Sequence, residues 1–317
     1  MKRILVSAAA AGLTLLAAGC SGSDAGSTAA PGSATPGPGA LAVVATTPEV
    51  ADFVRVIGGD DVRVTQIIKP NVDPHDYEPT PADIQAIGTA KLVVKNGVGL
   101  ERWLDQTIDS AGFTGTVVDS SQGVAIRKGD PGDQEMADGD PHIWHNPQNA
   151  KIMVTNIEKA LAAADSSHAP AYQKNVTDYA AKLDKLDADN EAAFARIPAA
   201  QRKLVTNHDA FGYYVDRYRL QFVGSVIPSL DTAAELSAQQ LTDLVAKIEA
   251  TGTKAVFTES SLPPKSAEAI AKQAGVKVIG GEDALYGDSL GVRGTPQGTY
   301  LGAEEHNTQV ITSALAG

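Results

Sequence analysis

Cysteine is almost absent from this chain: Cys20 is the only one in 317 residues. An internal disulfide is therefore impossible, and no thiolate metal site can form. A membrane-spanning run is lacking too. The longest apolar stretch, Ile4 to Ala18, is Ala-rich and short of the ~20 strongly apolar residues a span needs. Basic charge is scarce, with 26 Lys and Arg against 38 Asp and Glu and a net charge of −12. Such a body does not seek nucleic acid, and its field favours cations over anions. No H-E-x-x-H stretch occurs, so the usual helical zinc-protease signature is missing. Residues 21–40 (SGSDAGSTAAPGSATPGPGA) hold almost nothing that could build a core.

The lone cysteine has a use. Lys2 and Arg3 followed by the short apolar run and small residues read as an export signal over residues 1–19. Cys20 then stands where the lipid-modified first residue of a bacterial lipoprotein would be, although Ala17 occupies the place usually held by Leu. Residues 20–40 form the anchor and a Gly/Ser/Pro/Ala tether with an r.m.s. reach of ~25 Å by random-coil scaling. The expectation is a monomeric body on the outer face of a bacterial cell membrane.

Beyond residue 40, short β-branched runs alternate with helix-like ones. Strands are expected at 41–46, 62–68, 91–95 and 116–119, and again at 203–206, 220–227, 254–258 and 276–279. Continuous apolar strands alternating with helices indicate an α/β fold of mainly parallel sheets covered on both faces. Residues 169–197 differ: no Gly interrupts them, and Tyr172, Val176, Tyr179, Leu183, Leu186, Phe194 and Ile197 recur mostly at three or four. They read as one long rigid helix joining an N-terminal lobe (41–168) to a C-terminal lobe (198–317), each with a four-stranded sheet.

Four metal-type side chains, roughly 65 to 80 residues apart, each follow a strand-like run: His75, His142, His208 and Asp288. In open parallel sheets, ligands bind at the carboxyl ends of strands. Two such residues from each lobe would close a divalent-metal site over the cleft. Singly, each also has a structural reading: a loop histidine bonding backbone, a helix cap, or, for Asp288, turn work. The joint pattern points to metal. With only six histidines in the chain, His145 is a possible alternative ligand, and His168 and His306 read as solvated or packed. Glu78, Asp209 and Glu259 are candidates for carboxylates that orient the imidazoles. The acidic stretch 129–140 reads as a solvated loop with a loose attraction for cations. Binding requires neutral imidazoles, so affinity should fall below the ordinary histidine pKa of about 6.5.

The ordered motifs PHDYEP, DPHIW, HDAFGYY, LYGDSLG and the late His306-Asn307-Thr308 resemble the solute-binding proteins of zinc and manganese ABC importers, the cluster 9 or class A-I family. The resemblance runs from Leu41 to the C-terminus. It implies two α/β lobes joined by a long helix, delivery of metal to an ABC-type permease, and no chemistry on a substrate. By motif, His75, His142, His208 and Asp288 fall on the family's metal ligands. A histidine in the third position, here His208, is usually associated with zinc, and a carboxylate there with manganese, so Zn²⁺ is expected ahead of Mn²⁺. The chain departs from many zinc members in having an acidic loop where they carry a His-rich one. Two other readings are a secreted zinc hydrolase, which four closing ligands oppose, and a metal-binding adhesin without a transport role.

Overall fold

The computed structural model describes residues 37, 39–128, 138–230, 232 and 237–316. The signal, Cys20, nearly all of the tether and most of the acidic loop lie outside the described residues. Among those described, no helix is long and apolar enough to cross a membrane.

The first half is built on a four-stranded sheet in the order β2-β1-β3-β4. Its strands are β1 (Leu41–Ala45), β2 (Val62–Gln66), β3 (Leu92–Lys95) and β4 (Thr116–Asp119). All pairings are parallel, with Val43 opposite Val64 on one side and Leu92 on the other. Every strand end therefore faces the same way, and the loops leaving those ends gather on one edge. Helix α1 (Pro48–Gly58) starts where Thr47 accepts the Val50 N–H and Pro48 occupies the first turn. It buries Val50, Phe53, Val54 and Ile57. Thr80 and Asp83 form a capping box at the head of α2 (Pro81–Thr89), and α3 is Leu104–Ala111. Asn146 caps α4 (Pro147–Ala164).

Helix α5 runs from Ala169 to Ala195, 27 residues or ~40 Å at 1.5 Å per residue. It ends just ahead of Pro198, which cannot continue a helix. It links the two lobes. Tyr172, Val176, Tyr179, Leu183 and Leu186 lie in the first core, and Phe194 lies in the second, stacked 5.5 Å from Tyr218.

The second half holds β5 (Lys203–His208), α6 (Gly212–Tyr218), β6 (Gln221–Ile227), α7 (Ala238–Thr251), β7 (Ala255–Phe257), α8 (Lys265–Ala274), β8 (Lys277–Ile279) and α9 (Tyr300–Ala316). The strands are parallel but bond as two pairs, β5–β6 and β7–β8, rather than as one continuous four-stranded ladder. β5 runs beside β7. With three residues each, β7 and β8 offer little edge to a neighbour, and β6 bulges where Leu204 pairs with Phe222 but Val205 with Gly224. Helix α9 belongs to both cores. Tyr300 packs edge-on against Phe53 at 4.9 Å, whereas Ile311 and Leu315 lie in the second core.

Candidate metal centre

His75 sits in the loop between β2 and α2, its backbone N–H donated to Asp73 Oδ1 (2.9 Å). His142 comes from the loop after β4, just before a 3₁₀ turn at Ile143–His145. His208 is the last residue of β5, and Asp288 lies in the loop after β8. The structure brings one ligand-type atom of each within 4.8 Å of all the others.

Their ligand-type atoms lie close together. His142 Nε2 is 3.2 Å from His75 Nε2 and 3.3 Å from His208 Nε2. Asp288 turns Oδ1 toward His142 Nε2 (3.2 Å) and Oδ2 toward His208 Nε2 (3.2 Å) and His75 Nε2 (3.5 Å). A tetrahedron around an ion bonded at about 2.0–2.1 Å has edges of ~3.3–3.4 Å. The two His142 separations match such edges, and the two oxygens of Asp288 between them come within 3.2–3.5 Å of all three imidazole nitrogens. His142, His208 and Asp288 are buried; His75 is the partly exposed member.

Each buried imidazole is held from behind. Asp140 Oδ1 accepts both the backbone N–H of His142 (3.0 Å) and its Nδ1–H (2.8 Å). Glu259 Oε1 accepts the His208 backbone N–H (2.9 Å), and both its oxygens lie 3.0–3.1 Å from Nδ1. A carboxylate on Nδ1 fixes the proton there and leaves the Nε2 lone pair facing the cluster. Gly287 makes room for Glu259, because a Cβ there would lie 1.9 Å from Glu259 Oε2. The Asp288 loop is braced by Trp144 Nε1–H on the Gly287 carbonyl (3.0 Å). Asn307 exchanges two hydrogen bonds with the Tyr286 backbone, and the Asn71 N–H donates to Ser289 Oγ (2.7 Å).

Electrostatics follow from burial and charge. Burial disfavours the cationic form of His142, but Asp288 and Asp140 outweigh it and lift the imidazole to about 10. His208 is lifted to about 9 against the same burial by Asp288 and Glu259. Burial pushes the Asp288 carboxyl up, and the neighbouring imidazoles overcome it, holding the group well below the ordinary range. Glu49, buried in the first turn of α1, is pushed up to about 8 by burial, with smaller contributions from Asp288 and Glu304.

The remaining candidates fall elsewhere. Glu78 is exposed, while its neighbour Tyr77 turns in to donate to Asp83 (2.7 Å). Asp209 is half-buried, and burial and the Asp140 charge raise its carboxyl; no hydrogen bond from it to an imidazole occurs among the described residues. His145 is buried on Glu304 (2.8 Å) with its ring stacked 4.4 Å from Phe211, outside the cluster. His168 pairs with Asp165 (2.6 Å), and His306 Nε2 lies 3.0 Å from the Ala284 carbonyl. Sequence reasoning missed Asp140 as a holder of His142; the signal available was its place two residues before that histidine.

Two α/β lobes linked by a long helix, with a cation-sized cluster of three imidazoles and a carboxylate at the loop ends, have the architecture of a solute-binding protein. Residues 43–314 match the family described as "Zinc-uptake complex component A periplasmic", and the chain belongs to that family of metal ABC transporter solute-binding proteins. The manganese-binding lipoprotein MntA of Bacillus subtilis is 34% identical over 87% of this chain and 90% of its own length. The zinc-binding protein TroA of Treponema pallidum is 34% identical over 86% of this chain and 88% of its own. A solved structure of periplasmic TroA superposes with a TM-score of 0.80 at 32% identity, covering 87% of this chain and 99% of that one.

Proposed function

We propose that this protein captures Zn²⁺ outside the cytoplasm through His75, His142, His208 and Asp288 and delivers it to an ABC-type permease. The observation that carries this reading is the convergence of three imidazole nitrogens and one carboxylate within 4.8 Å, with His142 Nε2 3.2–3.3 Å from the other two nitrogens and Asp288 oxygens 3.2–3.5 Å from all three, separations that suit bonds of zinc length. The body works as a monomer, without nucleic acid, tethered through residues 20–40 and a lipid on Cys20 after removal of residues 1–19. Its lobes are 41–168 and 198–317 with the helix over 169–197 between them.

Manganese is the second reading. Asp288 turns both oxygens inward, so it can serve a larger ion as a bidentate ligand, and MntA is named for manganese. Competition of the purified protein against a chelator, run in parallel with Zn²⁺ and Mn²⁺, separates the two. Tighter retention of Zn²⁺ is expected. Equal or tighter retention of Mn²⁺ would remove the preference for zinc, and full zinc affinity in His208→Ala would remove the site assignment.

A further inference from the structure

Arg127 stands between two carboxylates from different parts of the chain. Its Nη1–H donates to Asp140 Oδ2 (3.0 Å) and its Nε–H to Asp216 Oδ2 (2.8 Å). Its backbone N–H donates to the Tyr213 hydroxyl (2.9 Å), which in turn donates to the Asp140 carbonyl (2.9 Å). Tyr213 and Asp216 belong to α6, the helix that follows β5 and its terminal His208. Asp140 holds His142 through its other oxygen. One guanidinium thus ties the segment carrying His142 to the helix that follows His208. The approach is built in: a Cβ on Gly212 would lie 2.1 Å from Arg127 Nη1 and 2.6 Å from Asp140 Oδ2. No Lys or Arg pairs with Glu259 among the described residues, so the device acts on one imidazole holder only.

From this geometry we infer that Arg127 is a positioning residue, a clamp that joins the two halves outside the cluster and sets how fast a captured divalent cation leaves. The inference rests on reading the cluster as a cation-capture site. Separating the His142 and His208 segments requires Arg127 to let go of Asp140 or of Asp216. The Asp140 carboxylate is fully buried, whereas the Asp216 side chain is 62% exposed, so solvent screens the outer contact more and it yields first. Lysine carries its three donors on a single nitrogen and does not reproduce the two-nitrogen fork by which Arg127 reaches Asp140 and Asp216.

The test is stopped-flow release of Zn²⁺ from the loaded full-length protein into excess chelator. Arg127→Met should speed release about tenfold, the scale of one partly shielded charge-assisted bond. Asp216→Asn should speed it roughly threefold through the screened contact. Arg127→Lys should fall between wild type and Arg127→Met. The double variant should release no faster than Arg127→Met alone, a non-additivity that general loosening of the fold would not produce. Unchanged or slower release from Arg127→Met, or additive effects in the double variant, overturns the clamp. If Arg127→Met fails to fold, the exposed Asp216→Asn carries the test, and wild-type release from it overturns the proposal. Should wild type itself retain neither Zn²⁺ nor Mn²⁺ against chelator, it is the capture reading that fails; normal retention with unaltered variant rates removes the clamp alone.

Discussion

Asp140 and Glu259 each grip one histidine at two points: a carboxylate oxygen takes the backbone N–H, and the Nδ1–H goes to that same oxygen on Asp140 and is shared between both oxygens on Glu259. Two unrelated loops have arrived at one device for aiming a lone pair.

Removing that device should be felt at the metal. Glu259→Gln keeps the shape but loses the charge that makes His208 a strong donor, and should weaken zinc affinity about 10- to 100-fold in chelator competition. Glu78→Gln, on an exposed side chain, should leave affinity as it is.

Metal binding should release protons at neutral pH. His142 and His208 are both raised, to about 10 and about 9, against an unfolded value near 6.5. Their pairing stabilises the metal-free fold fully below about 6.5, and that stabilisation is lost as pH climbs through the folded values. The depressed Asp288 contributes above about 3.9 and fails in acid. Metal-free thermal stability should therefore decline from pH 6 to pH 10, while zinc affinity keeps rising over that range instead of levelling near 7. About two protons should leave per zinc at pH 7, one from each raised imidazole. Calorimetry in buffers of different ionisation enthalpy counts them, and no release would contradict the raised imidazoles.

Asp288→Asn should act on both quantities together. With the site as proposed, loss of the carboxylate removes one of its four ligands, and zinc affinity should drop more than about 100-fold, beyond the effect of losing an outer partner. The same change removes the leading charge that holds His142 and His208 protonated. The decline of metal-free stability between pH 6 and pH 10 should flatten accordingly, which thermal melts across that range measure.

His145→Asn separates stability from binding. The substitution leaves Glu304 buried without its 2.8 Å partner and should cost about 1–3 kcal/mol in denaturant unfolding. Zinc affinity should stay within roughly twofold, because His145 lies outside the cluster. A large loss of affinity would make it a ligand after all.

Trp144 should report occupancy. Its ring is 5.4 Å from that of His142 and its N–H holds the loop of Asp288, whereas Trp103 packs on Tyr77 at 5.3 Å. A one-to-one zinc titration should change the emission of wild type and Trp103→Phe, and Trp144→Phe should abolish the change.

The elements that could be read in advance are those whose information is local. Val43-Val44 and Leu92 to Val94 announce buried strands by composition, and the Gly-free spacing from Tyr172 to Phe194 announces α5. His75, His142, His208 and Asp288 stood out because a parallel sheet delivers its loops to one edge. Direction and distant pairing were not legible. Nothing near Glu78 says that its side chain turns to solvent while Tyr77 turns inward. Glu259 reaches His208 across 51 positions, and Arg127 reaches Asp216 across 89. The pairing of β5–β6 apart from β7–β8 depends on a bulge and on strand length, which apolar patterning does not encode.

Helices α5 and α9 each begin in the first core and end in the second. A body crossed by two such struts behaves mechanically as a parallelogram linkage rather than a jaw: small sliding displacements are soft, and wide opening strains both bars at once. Exchange of the cation then calls for only small displacements of the His142 and His208 segments, the movement that Arg127 resists, beside His75, the one partly exposed corner of the cluster.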